Sequence, residues 1–236
     1  MNDLINLINV TKSFKKNKIL KVLNNINFKF KKGKVYSLMG PSGSGKSTLL
    51  NILSLIDKPS NGKVKFSNNI INYDEFNKND ELRAKKIGII YQDKNLLPDF
   101  TALENVYLSR LTLNQDKNQA IKDSKTLLKK VGLSNRLDHF PSELSGGESQ
   151  RVAISRAIIN TPEIILADEP TGSLDHKTSK EIFKTLFKLK NKNRIIIFAT
   201  HNRFFANMAD CKLQLVNETD PFLWQVFDDR AFLPLR

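Results

Sequence analysis

A single cysteine, Cys211, stands among 236 residues, which excludes an internal disulfide framework and leaves no second thiol for a zinc cluster. Long apolar runs are missing too: none approaches the roughly 20 residues needed to cross a bilayer. Asp3 falls where an export leader would carry basic residues, so neither a membrane span nor a secretory signal is expected, and a cytosolic setting fits. Lysine, in contrast, is plentiful: 38 Lys+Arg against 24 Asp+Glu give a net charge of +14. That balance suits nucleic acid or anionic lipid, yet the lysines are scattered among asparagine and isoleucine as solvated faces would be, so charge alone assigns no partner. With 40% hydrophobic residues the chain can bury one sizeable core.

Apolar alternation between residues 4 and 30, clearest at Ile26, Phe28 and Phe30, predicts antiparallel strands with one buried face, separated by a polar stretch at 15–18. Short strand pieces are expected at 63–66 and 70–73. The runs at 35–39, 164–167 and 195–199 lack alternation, as parallel strands covered on both faces do, and form the expected central sheet. A polar, helix-prone region at about 95–160, without repeats, heptads or Gly/Ser linkers, reads as a helical subdomain inserted in an α/β core spanning 1–216. Residues 217–236 are acidic on balance, carry Phe222, Trp224, Phe227 and Phe232, and receive no role.

The strongest local signal is GPSGSGKST at 40–48, the phosphate-binding pattern G-x-x-x-x-G-K-[ST] between a predicted strand and a predicted helix. Gly40, Gly43 and Gly45 let the backbone turn tightly, so that the N–H groups of the loop, which also holds Pro41, Ser42 and Ser44, converge on phosphate oxygens. Lys46 reaches the β- and γ-phosphates, Ser47 offers a hydroxyl to Mg²⁺, and Thr48 continues the helix whose positive end faces the anion. At 164–169, IILADE, a strand ends in two carboxylates; Asp168 is expected to hold Mg²⁺ and Glu169 to polarise the water that attacks the γ-phosphate. LSGGE at 144–148 precedes a helix-like run. Ser145, Gly146 and Gly147 there make either a second anion cradle or a helix cap with Glu148 in a capping box, and both readings can hold together.

On these motifs the sequence resembles the ABC ATPase family over about residues 4–210. The resemblance implies a P-loop NTPase core with an N-terminal antiparallel β subdomain and an inserted α-helical subdomain. It also implies ATP and Mg²⁺ as ligands, and a head-to-tail homodimer in which Ser145, Gly146, Gly147 and Glu148 of one copy complete the other's ATP site. Further residues follow the family's order. Gln92 is expected on Mg²⁺ beside Ser47 and Asp168; Ser173, Leu174 and Asp175 form the loop crossing the dimer interface; His201 bonds the γ-phosphate as a catalytic partner of Lys46 and Glu169; Phe14 stacks on adenine. Glu148 stands where the family often has glutamine, and Asn202 where aspartate is common. The stretch NLLPDFTALENV at 95–106, with PSELSGGE and LADEPTGSLD, is similar to the lipoprotein-releasing group and its macrolide-efflux and cell-division relatives. Leu97, Pro98, Phe100 and Leu103 would then line a groove for permease subunits carried on separate chains, at the cytoplasmic face of a bacterial inner membrane. A non-transport ATPase acting on nucleic acid or ribosomes would suit the charge, but the chain lacks the coiled-coil, zinc or second-cassette segments such members carry.

Overall fold

The computed structural model describes residues 3–15, 19–113, 116–218, 220–228 and 231–233. Along the chain run β1 (Asp3–Lys15), β2 (Ile19–Lys31), β3 (Val35–Met39), α1 (Lys46–Leu53), β4 (Asn61–Phe66), β5 (Asn69–Ile70) and α2 (Phe76–Lys86). Next come β6 (Ile87–Ile90), α3 (Ala102–Leu111), α4 (Lys117–Lys130), α5 (Gly146–Ile158), β7 (Ile164–Asp168) and α6 (His176–Lys188). The chain ends with β8 (Ile195–Ala199), α7 (Arg203–Ala206), β9 (Cys211–Glu218), β10 (Asp220–Asp228) and β11 (Ala231–Leu233). Two compact units divide it: Met1–Asp80 with Lys190–Arg236, and Glu81–Leu189. Among the described residues no helix is long and apolar enough to cross a membrane.

In the first unit, β1 pairs antiparallel with β2 on one side and with β4 on the other, giving the sheet order β2-β1-β4-β5. The expected alternation is present: Ile26 and Phe30 are buried and Phe28 half-buried, while Asn27 and Lys29 between them face out. Phe28 and Phe30 meet Tyr36 edge-on, at centroid separations of 5.8 and 4.9 Å, and the buried Tyr36 hydroxyl accepts from Lys31 N at 2.8 Å. The strand piece expected at 70–73 is shorter than its sequence suggested, because β5 covers only Asn69–Ile70 and the chain then turns off, Ile71 N bonding Val64 O. The polar stretch at 15–18 lies outside the described residues beyond Lys15.

The same unit holds a second sheet, β11-β10-β9-β3-β8. β3 runs parallel to both β8 and β9, whereas β9, β10 and β11 pair antiparallel, so the described residues beyond 217 belong to this sheet. The first four residues of β3 and all of β8 are buried, as unalternating apolar strands require.

The second unit places β6 parallel to β7, in register Ile87↔Ile164 to Ile90↔Ala167. Gly88 lets β6 press on α5: a Cβ there would stand 2.2 Å from Ala157 O. Ala102, Leu103 and Val106 of α3, Leu128 of α4, Leu133, and Val152 with Ile159 at α5 make the apolar centre of its helical part. Leu103, expected to line a docking groove, belongs to that centre at 9% exposure, while Leu97 and Phe100 remain exposed. Among its polar residues, Asn105 is almost fully buried and binds Leu97 N and the carbonyls of Leu97, Phe100 and Thr101, fixing the loop that leads into α3.

Candidate active site

The first unit carries the phosphate loop between β3 and α1. Gly43 and Gly45 take φ of +79° and +91°, a region L side chains rarely enter. A Cβ on Gly45 would also meet Val22 and Leu23 of β2 at 3.0 Å, so the loop is seated directly on the antiparallel sheet. Gly45 is the residue before α1 and offers no side chain to cap it, which leaves first-turn N–H groups of the helix for an anion. Lys46 is 92% removed from solvent in relative terms, at 8% exposure, and its Nζ donates to Gly40 O at 2.8 Å and Pro41 O at 2.9 Å. An ammonium has three donors, so two bonds fix its position and one remains for phosphate. Ser44 Oγ is buried without a partner, a polar atom suited to a ligand in the loop. Pro41, Ser42 and Ser47 are exposed, Thr48 half-buried.

His201 lies two residues past the end of β8 and is exposed. Its neighbours are fixed: Thr200 N donates to Leu38 O at 3.1 Å, Asn202 N to Thr200 Oγ1 at 3.1 Å, and Asn202 Oδ1 accepts from Phe204 N to cap α7. Asn202 thus does the capping that a short carboxylate would do. Because β3 and β8 are parallel neighbours, the phosphate loop and His201 leave the same end of the sheet, where ligands of open α/β sheets gather. Phe14 is 39% exposed on β1, and Lys12 Nζ lies 5.1 Å from its ring centroid. A core position, usual for an aromatic in a strand, is not what it has.

In the second unit, Gln92 lies two residues past β6, Asp168 ends β7 and Glu169 follows it, so all three sit at the same end of two parallel strands. Glu169 stands one residue beyond the strand at φ +42°, in the left-handed region that residues other than glycine seldom enter. A Cβ on Gly172 would approach Gln92 Nε2 to 3.6 Å and Glu169 Cβ to 3.6 Å, so Gln92 lies against the turn that follows β7. Within this unit Gln92 and Asp168 offer amide and carboxylate oxygens, hard donors of the kind Mg²⁺ prefers, and Asp168 is half-buried at its strand end.

Ser145 caps α5. Its Oγ accepts from Glu148 N at 3.3 Å and Glu148 Oε2 accepts from Ser145 N at 2.8 Å, a full capping box. The glycines serve close packing: a Cβ on Gly146 would reach 2.9 Å from Leu174 Cδ2, and one on Gly147 2.6 Å from Thr178 Cγ2. The signature is therefore packed against the segment 173–178, in which Asp175 caps α6 through Lys177 N and Thr178 N at 3.0 Å each. These bonds, with that of the Thr178 hydroxyl foremost, hold the Asp175 carboxyl below its usual range.

Three residues carry structure here that the motifs did not point to. Arg156 on α5 donates to the carbonyls of Asn95 at 2.5 Å and Lys94 at 2.6 Å, tying the signature helix to the segment after Gln92. Lys94 Nζ in turn donates to Ser173 Oγ at 3.3 Å. Arg136 donates from Nε to Glu148 Oε1 at 2.9 Å. Arg156 had a signal only in lying on the helix that the signature opens; Lys94 and Arg136 had none.

Residues 23–172 match the family model described as ABC transporter. The lipoprotein-releasing system ATP-binding protein LolD of Rickettsia bellii is 46% identical over 211 residues, covering 89% of this chain and 93% of that protein. Its counterpart from Ehrlichia canis is 44% identical over 220 residues, covering 92% and 96%. Among solved structures, the dimeric post-hydrolysis state of the ATP-binding cassette MJ0796 bound to ADP and Pi superposes with a TM-score of 0.86 at 38% identity, over 97% of this chain and 100% of that one.

Proposed function

Since the chain belongs to the ABC transporter family of ATPases, we propose that it is the ATP-hydrolysing subunit of a lipoprotein-releasing complex, acting as a pair of copies with membrane-spanning subunits on separate chains. The observation that carries this reading is 46% identity across 93% of a lipoprotein-releasing ATP-binding protein. Its place would be the cytoplasmic face of the inner membrane, as a peripheral subunit; the pairing is supported by the likeness to a dimeric cassette.

The roles follow from the chemistry of each group. Phe14 offers a ring face to adenine. The loop 40–48 wraps the phosphates, with Lys46 held by the Gly40 and Pro41 carbonyls so that its remaining N–H points to the terminal phosphates. Ser47, Gln92 and Asp168 would hold Mg²⁺, which when bound neutralises charge on the phosphate oxygens. Glu169 accepts the proton of the attacking water as the new P–O bond forms and the bond to ADP breaks. His201 donates to the γ-phosphate, and Ser145, Gly146 and Gly147 of the second copy close over it. Closure on ATP and opening after hydrolysis, relayed through the loop 173–175, would drive the membrane subunits.

The test is to tag the Glu169→Gln form in its native host, solubilise membranes with ATP and Mg²⁺, and identify what copurifies by mass spectrometry. Multi-span subunits with large periplasmic domains, together with lipoproteins, are expected. Drug-efflux or cell-division subunits would move the assignment to those relatives, and ribosomes or DNA-bound proteins without a membrane subunit would overturn it.

A further inference from the structure

Glu148 sets a problem for the end of α5. A carboxylate in the first turn favours a helix in isolation. The same helix end is the proposed cradle for the second copy's nucleotide, whose phosphates repel that charge. A glutamine at this position would make the same bond to Ser145 N without carrying a charge.

The contacts around the carboxylate answer the problem. Its Oε2 is taken by Ser145 N at 2.8 Å and its Oε1 by Arg136 Nε at 2.9 Å. Ser145 Oγ, in accepting from Glu148 N, has its hydroxyl hydrogen left to donate outward. Arg136 comes from a 3-10 turn, Ser134–Arg136, whose last N–H bonds Leu133 O at 3.1 Å, and its Nη1 stands 3.3 Å from His139 Nε2. The guanidinium and the Ser145 amide pull the Glu148 carboxyl down to about 2, so it is charged at neutral pH. The side chains are 43% and 18% exposed for Arg136 and Glu148, so the guanidinium lies at the surface over a half-buried carboxylate of the signature itself.

From these contacts we propose that Arg136 is a positioning residue for ATP hydrolysis: it offsets the Glu148 charge and fixes that carboxylate against Ser145, so that the signature accepts the γ-phosphate bound by a second copy. This rests on the two-copy reading above. Arg136 touches no substrate in it; it acts through Glu148, and its importance depends on residue 148 being acidic.

The experiment compares ATP hydrolysis and ATP-driven pairing for the parent chain, Arg136→Ala, Arg136→Lys, Glu148→Gln and the Arg136→Ala/Glu148→Gln double variant, with pairing measured in the Glu169→Gln background. Arg136→Ala is expected to raise the ATP concentration for half-maximal hydrolysis on the order of tenfold, while in the Glu148→Gln background the same change costs less than about twofold. Arg136→Lys, which keeps the charge but not the Nε geometry, should recover part of the loss, and nucleotide affinity of the separate chain should stay at the parent value. An equal loss from Arg136→Ala whether residue 148 is Glu or Gln would overturn the proposal, as would a fall in the separate chain's nucleotide affinity. If the chain with Arg136 intact fails to pair on ATP, the two-copy reading itself fails, an outcome distinct from pairing that ignores Arg136.

Discussion

Replacing Gly147 by alanine would drive a Cβ to within 2.6 Å of Thr178 Cγ2, a contact that real side chains do not make. The variant should lose about 1–3 kcal/mol of stability in a denaturant titration. Adding Thr178→Ser should return most of it, because serine drops the offending methyl yet keeps the hydroxyl that donates to Asp175 Oδ2 at 2.6 Å. A second residue-scale expectation concerns acid. The Glu148 carboxyl titrates near 2 in the folded chain against an ordinary 4.5, so its contribution is complete above the ordinary value and is lost as pH falls toward the folded one. The gap in unfolding midpoint between the parent and Glu148→Gln should therefore be constant above about pH 5 and close between about 4.5 and 2. A gap that widened on acidification would contradict the bonds drawn around Glu148. At this scale the phosphate loop was legible because backbone chemistry sets its spacing, and Lys46 is where that spacing puts it. The Arg136–Glu148 pair was not, since it joins a 3-10 turn to a helix start and nothing periodic in the sequence relates the two.

Elements were legible where a single physical rule decides them. The runs at 35–39 and 195–199 have both faces covered and read as apolar throughout, and β3 and β8 are those strands. β9, parallel to β3 and antiparallel to β10, was less legible: Cys211, Leu213 and Leu215 alternate with polar residues, but the shift to aromatic and acidic residues beyond 217 masks the strand pattern. The loop before α3 shows what no periodicity reveals. Leu97 and Phe100 are apolar and exposed, and it is Asn105, buried at 1% exposure, that holds their backbone. Asn105→Ala leaves Leu97 N and three carbonyls without that partner and should cost about 2–4 kcal/mol, read by thermal or chemical unfolding. Hydrogen exchange should show the loss first at 97–101; unchanged protection there would mean that the side chain does not hold the loop.

For the molecule as a whole, the net charge of +14 proved a poor guide, and the order of short motifs along the chain a good one. Charge is a sum over a surface and fits many partners, whereas a phosphate loop, a strand ending in Asp168 and Glu169, and a capped glycine pair opening α5 each solve one chemical problem. The signature caps and packs its own helix, and only in the proposed pair would it also be a second cradle, since one nucleotide needs one; that is what makes pairing the central claim. The most direct measurement is light scattering on the purified Glu169→Gln chain, with ATP and Mg²⁺, with ADP, and without nucleotide. The account predicts twice the chain mass of 26.9 kDa with ATP and a single copy in the other two conditions. A single copy at ATP concentrations that fill the phosphate loop would contradict it.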